Sequence, residues 1–193
     1  MILMSNYNLR AMMTVAAEKF RKSHLANYSA YLIALDRVLT EAKVEMNSRF
    51  RAKAGCAKYT RIHSNKTVIN MEMMFSEPIF ARISDEEKQD TISHEMAHLI
   101  EVLVYFDSGH TSRWQRIHYA LGGSGKRCME GVDTTGLRNQ VKRVKIIDSM
   151  NSKEYQVTPN KYKKLVACYP YRFKMVATCI YEGPRLVRMM AAS

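Results

Sequence analysis

The chain lacks closely spaced cysteines and long apolar runs. Its four cysteines form no CxxC pair and stand far apart, at Cys56, Cys128, Cys168 and Cys179. This spacing fits neither a zinc ribbon nor a disulfide framework, so free thiols are expected. No apolar run approaches the roughly 18 residues that span a bilayer, and residues 1–4 are too short for the core of a signal peptide. These absences predict an intracellular protein without a membrane segment.

Acidic side chains are also scarce, except in one short segment. The 193 residues carry a net charge of +12. Residues 83–107 contain seven acidic side chains and one basic side chain, whereas residues 108–193 contain five acidic and sixteen basic ones. Such a chain is a candidate to bind a polyanion, most often nucleic acid, although a basic surface that only aids solubility explains the charge equally well.

The acidic segment contains the pattern His94-Glu95-x-x-His98. Residues four apart on a helix lie on one face, so the two histidines point in the same direction. Two imidazoles at this spacing suit Zn²⁺, and the neighbouring Glu95 can act as general base toward a zinc-bound water. The pattern predicts one zinc ion per chain. The ordinary alternative is a helix that carries two histidines beside its core face by chance.

A catalytic zinc site needs a third protein ligand, and two residues compete for that place. Glu101 points the same way as both histidines, but its Cα lies about 10 Å along the helix from that of His94. His110 follows a helix-breaking segment at residues 107–109, which lets the chain fold back toward the site. We therefore favour His110 over Glu101 as the third ligand.

The pattern of apolar residues predicts an α+β fold. Helical spacing predicts four helices, over residues 8–22, 26–44, 84–106 and 111–121. Ser84 and Glu87 form a capping box at the start of the helix that carries the histidine pair. Alternation predicts a small antiparallel sheet, with strands over residues 44–51, 57–62 and 67–73. Gly55 indicates a bend or a close backbone approach.

The last segment predicts a C-terminal β-hairpin, with strands over residues 162–169 and 173–181. It interleaves aromatic side chains, which can stack on bases, with cations, which can bind phosphates. The candidate nucleic-acid contacts are Lys161, Lys163, Lys164, Tyr169, Tyr171, Arg172 and Lys174. An ordinary strand pair with its aromatics in the core is the slightly favoured interpretation, since aromatic residues are common in strands. Both interpretations stay open.

Three features follow one another in a fixed order: His94-Glu95-x-x-His98, Gly109-His110-x-x-x-Trp114, and a helix that ends at Leu121-Gly122. This order resembles the SprT-like (Spartan-type) metalloprotease family, and the resemblance covers roughly residues 25–125. It implies a zincin-like domain over residues 1–125, with the small sheet packed on the active-site helix. It also implies that the three histidines of these motifs bind zinc and that the glutamate is catalytic.

The end of the chain departs from that family. Its members often carry a C-terminal zinc ribbon with two CxxC pairs. Cys168 and Cys179 fall where the ribbon would stand, but each lacks a near partner, and two cysteines cannot close a tetrahedral site. We therefore expect residues 126–193 to form a basic, β-rich extension, comparable to a degenerate zinc ribbon, without a second zinc ion.

The residues and the resemblance together predict a monomeric zinc endopeptidase. The resemblance implies that it associates with DNA, single-stranded or damaged, and acts on proteins bound or crosslinked to that DNA. One alternative is a zinc hydrolase with a non-protein substrate, and another is a DNA-binding protein with a structural or vestigial zinc site. The intact Glu95 argues against the last of these. Candidates for stabilising the transition state are Arg113, His118 and Tyr119.

Overall fold

The computed structural model describes residues 6–51, 53–127, 135–137, 140–182 and 185–192. Within these residues the fold is mixed α+β, with six α-helices and two small sheets, and none of these helices is long and apolar enough to cross a membrane. The chain divides into two compact units, Met1–Asp133 and Thr134–Ser193. The finer boundary expected after residue 125 stays a prediction.

The first unit begins with two helices. They are α1, Asn6–Arg21, and α2, Ser29–Glu41, with a 3₁₀ turn at His24–Asn27 between them. They confirm the two helices predicted from the apolar periodicity. The buried face of α1 consists of Leu9, Met13, Ala16, Ala17 and Phe20. Full burial of each large apolar side chain contributes about 1.5–3 kcal/mol, so this face holds α1 in the core.

Three strands follow and form one sheet. They are β1, Lys43–Asn47; β2, Gly55–Ile62; and β3, Thr67–Ser76. β3 lies in the middle, paired antiparallel with β2 and parallel with β1. The predicted antiparallel sheet is therefore wrong for β1, which is also shorter than the strand expected over residues 44–51.

The turn after β1 explains the parallel pairing. The side-chain oxygen of Asn47 accepts the backbone N–H groups of Arg49 and Phe50, at 2.9 and 3.1 Å, and ends the strand. The connection to β2 then crosses the end of β3, where the Ser76 N–H donates to the Ala54 carbonyl oxygen at 2.8 Å. β2 therefore starts on the opposite side of β3. β1 and β2 therefore do not form an antiparallel hairpin, in contrast to the antiparallel sheet that the sequence predicts.

The central helix of the first unit is α4, Asp85–Tyr105. The predicted capping box is confirmed, because the Ser84 hydroxyl accepts the Glu87 N–H at 3.2 Å and the Glu87 carboxylate accepts the Ser84 N–H at 2.8 Å. α3, Glu77–Phe80, precedes this helix and α5, Ser112–Ala120, follows it. α4 packs against α1, α2, α5 and the sheet, and ten of its residues are buried. This packing makes α4 a rigid base for a site.

The second unit is a four-stranded antiparallel sheet with one helix. Its elements are β4, Gln140–Asp148; β5, Glu154–Val157; α6, Pro159–Cys168; β6, Phe173–Glu182; and β7, Arg185–Ala191. The strand order is β5-β4-β6-β7. β6 confirms the second strand of the predicted hairpin. The first strand, expected over residues 162–169, is wrong, because those residues belong to α6 and its C-terminal end.

The start of α6 explains this difference. The Thr158 hydroxyl accepts the Lys161 N–H at 3.2 Å, and Pro159 lies in the first turn, where a missing N–H costs nothing. Tyr162 and Leu165, three residues apart, then share one helical face. That face packs on the buried core of the second unit, which consists of Val144, Ile146 and Val157. The apolar spacing in this segment is therefore helical.

Candidate metal centre

α4 carries His94 and His98 one turn apart. Their Nε2 atoms lie 3.2 Å from each other. His110, just before α5, places its Nε2 atom 3.1 Å from that of His94. These three residues form a group that could hold a metal ion, and no other set of His, Cys, Asp or Glu side chains does so in the described part of the chain.

The spacing and the protonation of the three histidines fit a divalent cation. Ligands around tetrahedral zinc, at 2.0–2.1 Å from the ion, lie about 3.3 Å from one another. Burial, reinforced by the neighbouring histidines, lowers the pKa of His94 to about 3 and that of His98 to about 4. The pKa of His110 is also lowered, mainly by burial. The three imidazoles are therefore neutral at pH 7 and can offer lone pairs to a metal.

Ser108 determines which nitrogen of His98 faces the site. Its hydroxyl oxygen lies 3.1 Å from Nδ1 of His98 and 3.3 Å from the His98 carbonyl oxygen. A carbonyl oxygen can only accept, so the hydroxyl donates to it and accepts the Nδ1–H in turn. The lone pair on Nε2 is then directed toward the other two histidines. This is the tautomer that a metal ligand requires.

The indole of Trp114 lies against all three histidine rings. Its centroid is 4.7 Å from those of His94 and His110 and 5.5 Å from that of His98. The indole N–H donates to the His94 carbonyl oxygen at 3.4 Å, and the residue is almost fully buried. Trp114 therefore packs against the rings of the three histidines. This contact explains why a tryptophan stands four residues after His110.

A reversal of the chain brings His110 to the site. α4 ends at Phe106, whose left-handed backbone, with a φ of 57°, turns the chain back. The returning loop is bound to the helix it has left, since the Gly109 N–H donates to the Glu101 carboxylate at 2.9 Å. Glu101 is fully buried and lies outside the three-histidine group. The structure thus brings His110, and not Glu101, to the other two histidines.

The side chain of Glu95 extends from α4 to β2. Its Oε2 atom accepts the Ala57 N–H at 2.7 Å. A Cβ atom on Gly55 would lie 2.7 Å from Oε1 of Glu95, so the close backbone approach expected at Gly55 is confirmed. Burial raises the pKa of Glu95 to about 7, against the lowering effect of the Ala57 N–H. A carboxyl group of this kind can take up and release a proton near neutral pH.

The residues suggested for transition-state stabilisation have other surroundings. His118 is fully buried, and its Nε2 atom lies 3.2 Å from the Asp90 carbonyl oxygen. Its ring packs behind His94 at a centroid distance of 5.5 Å. The Arg113 guanidinium lies 4.5 Å over the ring of Tyr105, and Tyr119 is exposed. His118 is therefore a packing partner of His94, and we assign no transition-state role to the other two.

The residues predicted to contact nucleic acid lie on α6, on the segment between α6 and β6, and at the start of β6. Six of them are exposed: Lys161, Lys163, Lys164, Tyr169, Tyr171 and Lys174. The seventh, Arg172, is bound by both carboxylate oxygens of Asp148, at 2.8 and 3.0 Å. Tyr162 and Phe173, by contrast, pack on the core of the second unit. The aromatic residues therefore divide between the two interpretations, and contact with nucleic acid stays a prediction.

The described cysteines are free thiols, namely Cys56, Cys168 and Cys179. None of them joins a group that could hold a metal among the described residues. Cys168 is exposed, whereas Cys179 is buried. Cys128 lies outside the described residues. The expectation of free thiols is confirmed for the three described cysteines.

Sequence reasoning missed two contributors to the site. Ser108, which orients His98, stands inside the helix break, and a hydroxyl residue between two expected ligands was a usable signal. Ala57 contributes only its backbone N–H to Glu95. Every residue except proline has such a group, so no side-chain pattern could have indicated this contact.

The fold and the site define a class of protein. This class has a mixed α+β structure whose central helix and following loop bring three histidines together, with a buried glutamate directly after the first of them in the chain. The model of the SprT-like family matches residues 18–137, more than half of the chain, and the chain belongs to this family. The resemblance seen in the sequence is thus confirmed, and the family is associated with metalloprotease activity. No curated protein matches the chain.

Proposed function

We propose that the protein is a zinc-dependent endopeptidase with a zincin-like domain. The observation that carries the proposal is the convergence of His94, His98 and His110, with the buried Glu95 directly after His94 in the chain. Three protein nitrogens with a fourth position left for water or substrate are typical of catalytic zinc. Membership of the SprT-like family supports a peptide as the substrate.

In this proposal each side chain has its own task. The three histidines hold the ion through their Nε2 atoms. When bound, zinc supplies Lewis acidity, which polarises a carbonyl group and makes water more acidic. Glu95 takes the proton of the attacking water and passes it to the leaving amine, and a pKa of about 7 suits both transfers. The Ala57 N–H holds the Glu95 carboxylate in place during this exchange.

The surroundings of Glu95 favour hydrolysis over a purely structural zinc site. A structural site is closed by four protein ligands and needs no base. Here the described residues offer three ligands, and Glu95, which follows His94 in the chain, carries an almost fully buried carboxyl group. Burial of a carboxylate is costly, and it raises the pKa of Glu95 to about 7. A role in proton transfer explains why the Glu95 carboxyl group is buried.

Metal removal and reconstitution test the proposal. The purified protein should contain about one zinc ion per chain and should cleave a denatured protein. Removal of the ion with a chelator should abolish cleavage, and one equivalent of zinc should restore it. His94→Ala should lose both zinc and cleavage. Cleavage by the metal-free protein, or no cleavage of any denatured protein by the zinc-loaded one, would contradict the proposal.

We propose further that the second unit binds DNA and directs cleavage to proteins bound or crosslinked to it. Residues 134–193 carry twelve basic and three acidic side chains, a net charge of +9. Two of these acidic side chains already have basic partners, because Asp148 pairs with Arg172 and Glu154 pairs with Lys145. The exposed lysines of α6 face solvent, where phosphates can reach them. Such a protein acts inside the cell, at DNA.

Two measurements test the DNA proposal. Binding of a labelled single strand, followed by fluorescence anisotropy, should weaken at least about tenfold between 50 and 200 mM salt, because bound phosphates release counterions. Cleavage of a DNA-bound protein should be faster than cleavage of the same protein without DNA. Binding that is absent or insensitive to salt would remove DNA from the proposed function and leave the protease part intact.

A further inference from the structure

Glu101 is a buried carboxylate on α4 to which the proposed reaction gives no task. It is fully buried, and a charge in that position is costly unless hydrogen-bond donors satisfy it. The partners of this carboxylate therefore indicate what it does. Glu95, the other buried carboxylate of the helix, differs because the proposed reaction uses it as the base.

The partners of Glu101 lie on both sides of one metal ligand. Its Oε2 atom accepts the Gly109 N–H at 2.9 Å, and its Oε1 atom accepts the Thr111 hydroxyl at 2.5 Å. Gly109 and Thr111 are the residues immediately before and after His110. One side chain from α4 thus binds both neighbours of the ligand. The Arg113 guanidinium adds a more distant contact, with Nε 4.0 Å from Oε1.

We infer that Glu101 is a positioning residue for His110. The two hydrogen bonds restrain the residues on both sides of His110, Gly109 through its backbone N–H and Thr111 through its hydroxyl. This restraint helps to hold the Nε2 atom of His110 3.1 Å from that of His94. His110 is exposed and lies on a loop, so the contact of its ring with Trp114 leaves the backbone on either side to be held by other groups. A ligand that is fixed in advance costs less to order when the ion binds, and partners of this kind contribute strongly to metal affinity. The inference rests on the proposed function only in taking His110 as a metal ligand.

Thr111 connects this arrangement to the next helix. Its hydroxyl donates to Glu101 and accepts the backbone N–H of Trp114 at 3.3 Å. The second hydrogen bond caps the start of α5. Trp114 in turn supports the three histidine rings. Glu101 therefore acts on the site through the loop and the start of α5. This explains why a carboxylate, with two acceptor oxygens, occupies the position.

Zinc affinity of the full-length protein, measured by competition with a chromophoric chelator, tests the inference without any activity assay. Glu101→Gln keeps the shape of the side chain but leaves one acceptor oxygen in place of two. We expect its zinc affinity to fall between about tenfold and 100-fold. Asp148→Asn is the matched control, since it alters an equally buried carboxylate in the second unit. Its zinc affinity should stay within about twofold of the wild type.

The His110→Ala background distinguishes positioning from charge attraction and from general support of the fold. If Glu101 acts through His110, then Glu101→Gln should change zinc affinity by less than about twofold once His110 is gone. If its negative charge simply attracts the cation, or if it only supports the fold, the loss should persist in that background. Persistence of the full loss would overturn the inference.

A second pair of variants covers the case in which Glu101→Gln does not fold. Thr111→Ser keeps the hydroxyl and should bind zinc like the wild type, whereas Thr111→Val loses the donor and should bind at least about tenfold more weakly. If Thr111→Val, or folded Glu101→Gln, bound zinc as tightly as the wild type, the inference would be overturned. The proposed function would be unaffected, because the wild-type protein would still bind zinc. A wild-type protein that binds no zinc would instead overturn the proposed function itself.

Discussion

Buried carboxylates have different partners in the two units. Glu95, in the first unit, accepts one backbone N–H, and burial raises its pKa to about 7. Asp148, in the second unit, accepts two hydrogen bonds from Arg172, which hold its pKa below the ordinary value. The first group can exchange a proton at neutral pH, whereas the second stays ionised. Local partners, and not residue type, decide whether a buried carboxylate is reactive or structural.

The helices of the two units also differ in how deeply they are buried. Ten residues of α4 are buried, whereas α6 has none and covers a small core with two half-buried side chains, Tyr162 and Leu165. A metal site must hold its ligands within a fraction of an ångström, so it needs the rigid helix. A surface that binds a polyanion needs mainly exposed cations. Each proposed function thus lies on the unit whose packing suits it.

The sharpest test of this comparison is Glu95→Gln. The amide cannot take up a proton, so cleavage of a denatured protein should fall by about 10²- to 10⁴-fold. Zinc content and the circular dichroism spectrum should not change. Asp148→Asn, the corresponding change in the second unit, should leave cleavage of a DNA-free protein unaltered. Equal cleavage by Glu95→Gln and the wild type would show that Glu95 is not the base.

Gly55→Ala tests whether the position of Glu95 matters as well as its chemistry. The new Cβ would lie 2.7 Å from Oε1 and 2.8 Å from Cγ of Glu95, so the carboxyl group must move. A displacement near 1 Å can cost about 100-fold in rate, and we expect a loss of that order with zinc retained. In the control Gly109→Ala, the new Cβ would meet only Thr111 Cγ2, at 3.7 Å. That variant should keep most of the activity, and equal losses in both would argue against a specific role for Gly55.

Features that depend on local spacing could be predicted from the sequence. The histidine pair on α4 follows from the helical repeat, and the capping box at Ser84 marks where that helix begins. The choice of His110 over Glu101 followed from the length of a helical turn and from the break after the helix. In each case the decisive residues lie within about twenty positions of one another, so geometry could be argued without the rest of the fold.

Features that depend on the path of the chain could not be predicted in this way. β1 pairs parallel with β3 because β1 and β2 lie on opposite sides of β3, and alternation alone specifies neither the order nor the direction of strands. The strand predicted over residues 162–169 is instead part of the helix α6, because Thr158 and Pro159 start a helix there. The contact of Ala57 with Glu95 joins residues 38 positions apart and involves a backbone group.

The basic surface of the second unit is tested by neutralising two lysines of α6. Lys163→Gln with Lys164→Gln should weaken binding of single-stranded DNA about tenfold. It should also reduce the slope of log affinity against log salt by roughly two, one for each lost phosphate contact. Lys153→Gln, which removes an exposed cation elsewhere in the unit, should change the slope little. An equal effect of all these lysines would point to diffuse attraction instead of a binding surface on α6.

Asp148→Asn should have the smallest effect, and its pH dependence distinguishes an ion pair from simple packing. Because Arg172 lowers the pKa of Asp148 in the folded state, the pair stabilises the second unit above about pH 4, the pKa of an unfolded aspartate. This contribution is lost as the pH falls through the lowered folded pKa. The urea midpoint, followed by the amide NMR signals of Val144 and Ile146, should therefore differ between variant and wild type at pH 7 and converge in acid. Glu154→Gln, which breaks the more exposed pair with Lys145, should shift the midpoint less. A difference that is the same at both pH values would mean that the amide disturbs packing and that Asp148 does not act through its charge.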